Sequence, residues 1–291
     1  MKKCAILTMD NTEGHIIYDH LLAAPLKDAG WHCDTVSWRA EVDWDQYHLV
    51  MIRSPWDYQL DAPGFLKVLE TIDNSSARLD NPLDIVRWNI NKLYLQELNE
   101  KGVAILPTLW RDTFSEKDFL TAFDTLATQE IVVKPCISAG AHDTFRINRD
   151  HAQSMLAKLQ RKYQRRDFML QAFSPEIVAE GEFSIFYFDD EYSHTILKTP
   201  KENDFRVQEE FGGLLQKVAP EQGLMRAAKK VLAAVDQSLL YARLDFVRYG
   251  DHFALMEAEL IEPSLYFNLD SEAPRRYVEA MERRMLRLGI I

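Results

Sequence analysis

Four carboxylates, Asp245, Glu257, Glu259 and Glu262, fall within residues 243–266, RLDFVRYGDHFALMEAELIEPSLY, whose remaining residues read as two buried strands. An ionised carboxylate in an apolar setting is costly unless a cation or donor meets it, and clustered oxygen donors suit a hard divalent cation. Side chains alternate along an extended chain, so Phe253, Leu255, Glu257 and Glu259 are expected on one face, with Ala254, Met256, Ala258 and Leu260 on the other. The turn decides whether Asp245 joins the acids. A two-residue turn at Gly250-Asp251 sets Asp245 opposite Met256, whereas a three-residue loop from Gly250 to His252 sets it opposite Glu257. The longer loop is the expectation. Taken alone, the same acids suit the solvated face of an ordinary hairpin equally well.

Basic residues that can answer these acids lie upstream. Lys134 closes the apolar run Ile131-Val132-Val133 and is followed by the small-residue loop Ser138-Ala139-Gly140-Ala141-His142, whose backbone N–H groups can approach phosphates. Lys92, Lys198 and Arg206 add further cations. Separated cations ahead of an acid cluster are what a magnesium nucleotide requires, cations for the phosphates and acids for the metal. GxxxxGK[ST] is absent, as is a GxGxxG after the first strand. Arg53, Trp56, Asp57 and Tyr58 stand at the end of a predicted strand, where open α/β sheets bind ligands.

The elements that position these residues begin with an alternating unit over 1–85. It has strands at 4–9, 31–38 and 47–52, a helix at 14–29 and another at 61–72, a βαβ pattern that favours a parallel sheet. Asn81-Pro82 marks a break. Beyond it the spacing predicts helices at 88–101, 115–125, 151–163, 221–237 and 271–288. Strands are expected at 104–106, 131–134, 143–147 and 168–172, with a hairpin over 182–199. The run Glu282-Arg283-Arg284 reads as a solvated face.

The chain of 291 residues, 47% hydrophobic, is long enough for two or three lobes with cores of their own. Its 34 basic against 45 acidic residues, formal charge -11, argue against a nucleic-acid backbone as partner. Cys4, Cys33 and Cys136 lack paired CxxC spacing and read as free thiols. With no apolar run of spanning length, the expectation is a cytoplasmic protein off the membrane. A homodimer is the commonest assembly for such an enzyme.

One order of residues carries a resemblance. It runs Asn91-Lys92, Val133-Lys134-Pro135 with Ser138-Ala139-Gly140, Leu170-Gln171-Ala172-Phe173, Gly181-Glu182, Lys198, Asp204-Phe205-Arg206, Gly212-Gly213, Arg243-Leu244-Asp245 and Glu257-Ala258-Glu259. This order resembles the ATP-grasp ligases over residues 82–270. The 53–58 and 88–92 stretches are similar to the glutathione synthetase-like branch, which includes the cyclo-ligase that closes the cycloserine ring. The resemblance implies an N-terminal Rossmann-like pre-ATP-grasp α/β domain over 1–85. A two-lobed ATP-grasp α+β fold over 86–291 would follow, its nucleotide-clamping lobe at about 105–175.

By the same resemblance, Lys92, Lys134, Ser138 and Gly140 meet ATP phosphates, Gln171, Ala172 and Phe173 form the hinge beside adenine, and Glu182 is a nucleotide-site acid. Lys198 and Arg206 act at the acyl-phosphate end, while Asp245, Glu257 and Glu259 hold two magnesium ions. Arg53, Trp56, Asp57, Tyr58, Gly212, Gly213 and Ser264 meet the substrate. The commoner family ending is Glu-x-Asn, and the glutamate at 259 leaves manganese open beside magnesium. The implied reaction activates a small carboxylate with ATP and joins it to an amine. The alternatives are an ATP-grasp kinase that makes a stable phosphate ester and a nucleotide-binding regulator without catalysis.

Overall fold

The computed structural model describes residues 2–291 except 139, 141 and 203. The first unit holds β1 (Lys2–Thr8), α1 (Ala23–Asp28), β2 (Trp31–Ser37), β3 (Leu49–Ser54), α2 (Ala62–Asp73) and β4 (Arg78–Asp80). Its strands form a parallel sheet in the order β2-β1-β3-β4, as the alternating pattern predicts. The helix expected over 14–29 shrinks to α1 and a 3₁₀ turn at Asp19–Leu22, because Gly14 takes φ +80° and the chain before residue 19 is irregular.

The helix expected over 88–101 is two helices, α3 (Leu83–Asn89) and α4 (Tyr94–Glu100). Asparagine side chains compete with helical hydrogen bonds at this break. Asn91 Oδ1 accepts from the Leu93 N–H at 3.0 Å, and Asn89 bonds the Ala258 carbonyl and the Leu260 N–H at 2.8 and 3.1 Å. Lys92 sits in the break, its N–H donating to the Cys136 carbonyl at 2.8 Å.

Two antiparallel sheets follow. One, ordered β5-β8-β6-β7, comprises β5 (Thr108–Arg111), β6 (Glu130–Pro135), β7 (Phe145–Asn148) and β8 (Phe168–Ala172). Helices α5 (Glu116–Thr125) and α6 (Ala152–Tyr163) share its apolar core through Phe119, Phe123, Leu159 and Tyr163. The strand expected at 104–106 reduces to a bridge between Ile105 and Leu255, and β5 begins only after Pro107.

The other sheet, ordered β11-β10-β9-β12-β13, follows the short helix α7 (Glu176–Ala179). Its strands are β9 (Glu182–Phe188), β10 (Glu191–Thr199), β11 (Leu214–Lys217), β12 (Tyr241–Tyr249) and β13 (His252–Glu259). Helix α8 (Gln222–Val235) packs on one face through Leu224, Ala228 and Val231. Helix α9 (Ala273–Arg287) fills the space between this sheet and the parallel one, where Tyr277 and Met281 meet Met51, Phe188 and Tyr241.

Arg284 on α9 is buried, and its Nε and Nη2 reach Asp80 at 2.9 and 3.1 Å. The solvated-face reading therefore fails for Arg284, since an α-helix turns neighbouring residues by about 100°, leaving Arg283 exposed and Glu282 half-buried against Lys2 and Trp31. Among the described residues, no helix is long and apolar enough to cross a membrane.

Candidate active site

The β12–β13 hairpin carries the acids. Tyr249 pairs with His252, so the turn is the two-residue Gly250-Asp251 and the expected three-residue loop is not formed. Asp245 nevertheless pairs with Glu257, because the register shifts between Phe246, paired with Leu255, and Asp245, leaving Met256 as an extra residue. This β-bulge does the work assigned to the longer loop. It also overturns the expected faces. Phe253 and Leu255 pack towards α8 before the bulge and Ala258 and Leu260 after it, while Glu257 and Glu259 turn the other way with Asp245 and Arg243.

On that side lies a cavity of about 540 Å³, lined from both antiparallel sheets and from the segment after β3. Lys134 Nζ stands 3.3 Å and Lys92 Nζ 3.8 Å from the Glu257 carboxylate, and Lys92 also donates to the Ser138 carbonyl at 3.0 Å. Lys198 pairs with Glu182 and stands 3.5 Å from Asp245 Oδ1, which accepts from Ser184 Oγ. Arg243 Nη2 donates to Asp245 Oδ2 at 3.0 Å and to Glu259.

These contacts set the charge states. Burial pushes Asp245 up, but Arg243 and Lys198 outweigh it and hold the carboxyl below its usual range. Burial opposes ionisation of Glu257 in the same way, and Lys92 and Lys134 prevail. Burial raises Glu182, while it pushes Glu259 up to about 8 and Glu262 to about 7.

Among the described residues, no group of three or more His, Cys, Asp or Glu is drawn together as a metal cage; the acids turn onto cations instead. The donor set still fits magnesium. Its ligand-type atoms are all oxygens on one face, and the burial and neighbouring acids that raise Glu259 are what a further positive charge there would relieve.

Other expected residues divide cleanly. Gly140, Gln171, Phe173, Trp56, Tyr58, Arg206 and Ser264 line the cavity. Arg206 is held by Asp204 at 2.8 Å, with its guanidinium 3.9 Å from the Phe211 ring centroid. Ala139 and Ala141 lie outside the described residues. Ala172 is not in the lining; it sits in the ladder opposite Ile131. Asp57 turns away to Trp38 Nε1 at 2.8 Å and to Arg39. Gly212 and Gly213 also miss the cavity, and a Cβ on Gly213 would fall 2.1 Å from the Val207 carbonyl oxygen, so this glycine admits the chain's own backbone.

Arg53 is buried beneath the cavity, bonded to Asp19 at 3.1 Å and to the Pro263 carbonyl at 2.7 Å. That contact belongs to a larger pattern. Every carbonyl from Leu260 to Leu265 accepts from a side chain. Asn81 serves Leu260 at 2.7 Å, Tyr241 serves Ile261 at 2.7 Å, and Trp56 Nε1 serves Glu262 at 2.9 Å. Arg53 serves Pro263, Arg243 serves Ser264 at 3.2 Å, and His194 Nε2 serves Leu265 at 3.1 Å. A segment outside any helix or sheet is thus pinned with its backbone acceptors satisfied.

Sequence reasoning gave no role to Arg243, Asn81, Asn89 or His194, and treated Glu262 only as one of the clustered acids. Arg243 was within reach, because it stands two residues before Asp245 and so shares its face.

Comparison with known proteins agrees with this geometry. Residues 4–81 match the family described as D-cycloserine synthetase DcsG, N-terminal domain, and residues 91–264 match prokaryotic glutathione synthetase, ATP-grasp domain. The cycloserine biosynthesis protein DcsG of Streptomyces lavendulae is 29% identical over 283 residues, covering 90% of this chain and 93% of that protein. The crystal structure of D-cycloserine synthetase DcsG superposes with a TM-score of 0.84 at 27% identity, over 97% of this chain and 99% of that one. D-alanine--D-alanine ligase from Bacillus anthracis complexed with ATP superposes at 0.71 with 14% identity, over 99% and 98% of the two chains, which speaks for the fold alone. With its ATP-grasp match spanning more than half of 291 residues, the chain belongs to the ATP-grasp ligases of the glutathione synthetase-like branch and is an ATP-dependent ligase.

Proposed function

We propose that this enzyme closes a carbon–nitrogen bond within, or between, small amino acid-like molecules through an acyl phosphate. The observation that carries the reading is the convergence of Lys92, Lys134, Lys198 and Arg243 on acids paired across one hairpin in a single cavity. Lys92 and Lys134 hold ATP phosphates, with adenine beside Gln171 and Phe173. Lys198 and Arg206 neutralise charge on the transferring phosphoryl group as the substrate carboxylate attacks it, releasing ADP. The nitrogen nucleophile then attacks the acyl carbon and phosphate departs. Asp245, Glu257 and Glu259 would hold magnesium, or manganese, which supplies Lewis-acid polarisation of the phosphates when bound.

The three separate sheets support a pre-ATP-grasp domain over 1–85 and an ATP-grasp domain over 86–291, with 105–175 as the clamping lobe. The three free cysteines support a cytoplasmic setting. Similarity to a cycloserine synthetase favours ring closure within one molecule.

The test is release of ADP and phosphate against amino acids and dipeptides of both hands, singly and in pairs. Turnover on a single compound supports ring closure. ADP without phosphate would replace the ligase with a kinase, and tight ATP binding with no ADP across the panel would replace it with a sensor.

A further inference from the structure

Joining an amine to an acyl phosphate leaves one proton to be moved. The nitrogen lone pair forms the bond to carbon, the carbon–oxygen bond breaks with its electrons going to phosphate, and the nitrogen must shed a proton before the amide is neutral. Four carboxylates lining the cavity are committed elsewhere: Glu182 to Lys198, Asp245 to Lys198 and Arg243, Glu257 to Lys92 and Lys134, and Glu259 to Arg243. Each of these four therefore already has a cation at ion-pair distance in the place an incoming ammonium or amine would take.

Glu262 differs. It lines the same cavity as the buried Tyr58 and makes no ion pair among the described residues. Its backbone is fixed by Trp56 Nε1 on its own carbonyl and by Tyr241 and Arg53 on the carbonyls either side, so the carboxylate rests on a held segment. Building on the ligase reading above, we propose that Glu262 takes the proton from the attacking nitrogen as the carbon–nitrogen bond forms. The proton passes on to the departing phosphate, which leaves as hydrogen phosphate, and the carboxylate is regenerated.

The groups whose charge or polarity reaches Glu262 are Tyr58 after β3, Lys92 between α3 and α4, Arg243 and Tyr241 on β12, and Glu259 at the end of β13. Burial outweighs Lys92 and Arg243 and brings its pKa up to about 7, where a general base works near neutral pH.

The experiment separates the two half-reactions. Wild type and Glu262→Gln are run with ATP, magnesium and the compound or pair of highest turnover in the screen above. In parallel, the same acid is run with excess hydroxylamine, an α-effect nucleophile whose more acidic N–H in the adduct is shed to water without a general base. The expected result is a fall of about 100-fold in amide formation against a hydroxamate rate changed by less than about threefold. The acidic limb of the amide pH–rate profile should vanish in Glu262→Gln and return, displaced, in Glu262→Asp. Tyr58→Phe, which keeps the carboxylate, should shift that limb without abolishing it.

Equal loss of amide and hydroxamate would overturn the assignment and make Glu262 a structural residue. Selective loss in His15→Ala but not in Glu262→Gln would move the base to His15, in the same cavity. If wild type makes neither product with any acid, the ligase reading falls, and this inference with it.

Discussion

Arg243 faces Glu259 across the β12–β13 ladder, and its Nη2 donates to the Glu259 carboxylate. The same nitrogen reaches Asp245 at 3.0 Å, so one buried guanidinium holds two acids that a metal would otherwise claim. Replacement by methionine leaves both without that cation. We expect Arg243→Met to lower the unfolding free energy in urea by about 3–5 kcal/mol, the cost of breaking a buried pair. A change below about 1 kcal/mol would mean that the acids find other partners at no cost.

Glu257 is less deeply set than Asp245, with 28% of its side chain exposed between Lys92 and Lys134. Its removal should therefore separate function from stability. Glu257→Gln is expected to cut ADP release by about 10²–10³-fold while unfolding stays within about 1 kcal/mol of wild type. A coupled ADP assay beside urea melts decides it, and wild-type turnover in the variant would exclude a metal or phosphate role for this residue.

His194 predicts a pH dependence of stability. It is buried, lies parallel to Phe186 with ring centroids 4.2 Å apart, and its Nε2 donates to the Leu265 carbonyl. Burial lowers its pKa from 6.5 to about 4, although Asp270 opposes the change and Arg276 and Lys217 reinforce it. The folded state therefore binds the proton more weakly than the unfolded one. Its contribution is complete above pH 6.5 and is lost as the pH falls towards 4, amounting to about 2 kcal/mol between pH 7.5 and 5. Urea melts at the two pH values should show that difference shrinking in His194→Gln, which keeps a donor for Leu265 but does not titrate.

Trp56 reaches the site through a backbone. Trp56→Phe removes the donor to the Glu262 carbonyl and retains an aromatic ring. The expected effect is about a 5–10-fold loss in kcat/KM for the nitrogen nucleophile, the worth of about one hydrogen bond, with the KM for ATP unchanged. An equal loss for ATP would place Trp56 in the general scaffold.

The regular elements were largely legible. Continuous apolar runs such as those of β1, β3 and β8 identify buried strands, and Ser115 caps α5 by accepting from the Asp118 N–H. The facing of Asp245 and Glu257 was legible in outcome but not in cause. Met256 is as good a strand residue as its neighbours, so nothing local marks it as the extra one. Arg53 and Arg284 were misplaced, and the Trp56 bond to a backbone carbonyl was missed, for another reason. Their partners Pro263, Glu262 and Asp80 are more than 200 residues away in sequence, and periodicity carries no information at that range. The break at Lys92 was masked because residues 88–101 contain enough good helix formers to suggest one continuous helix.

The 260–265 segment gives its carbonyls to the scaffold and the side chains of Glu262 and Ser264 to the cavity, while Leu260 and Leu265 go to the cores. Mould and tool are therefore separable. Since donors from Asn81, Tyr241, Trp56, Arg53, Arg243 and His194 draw its course, residues 262 and 264 can be exchanged without redrawing the path they stand on. Diversification at 264, with Glu262 kept, would therefore retune which nitrogen compound is accepted on an unchanged ATP machine.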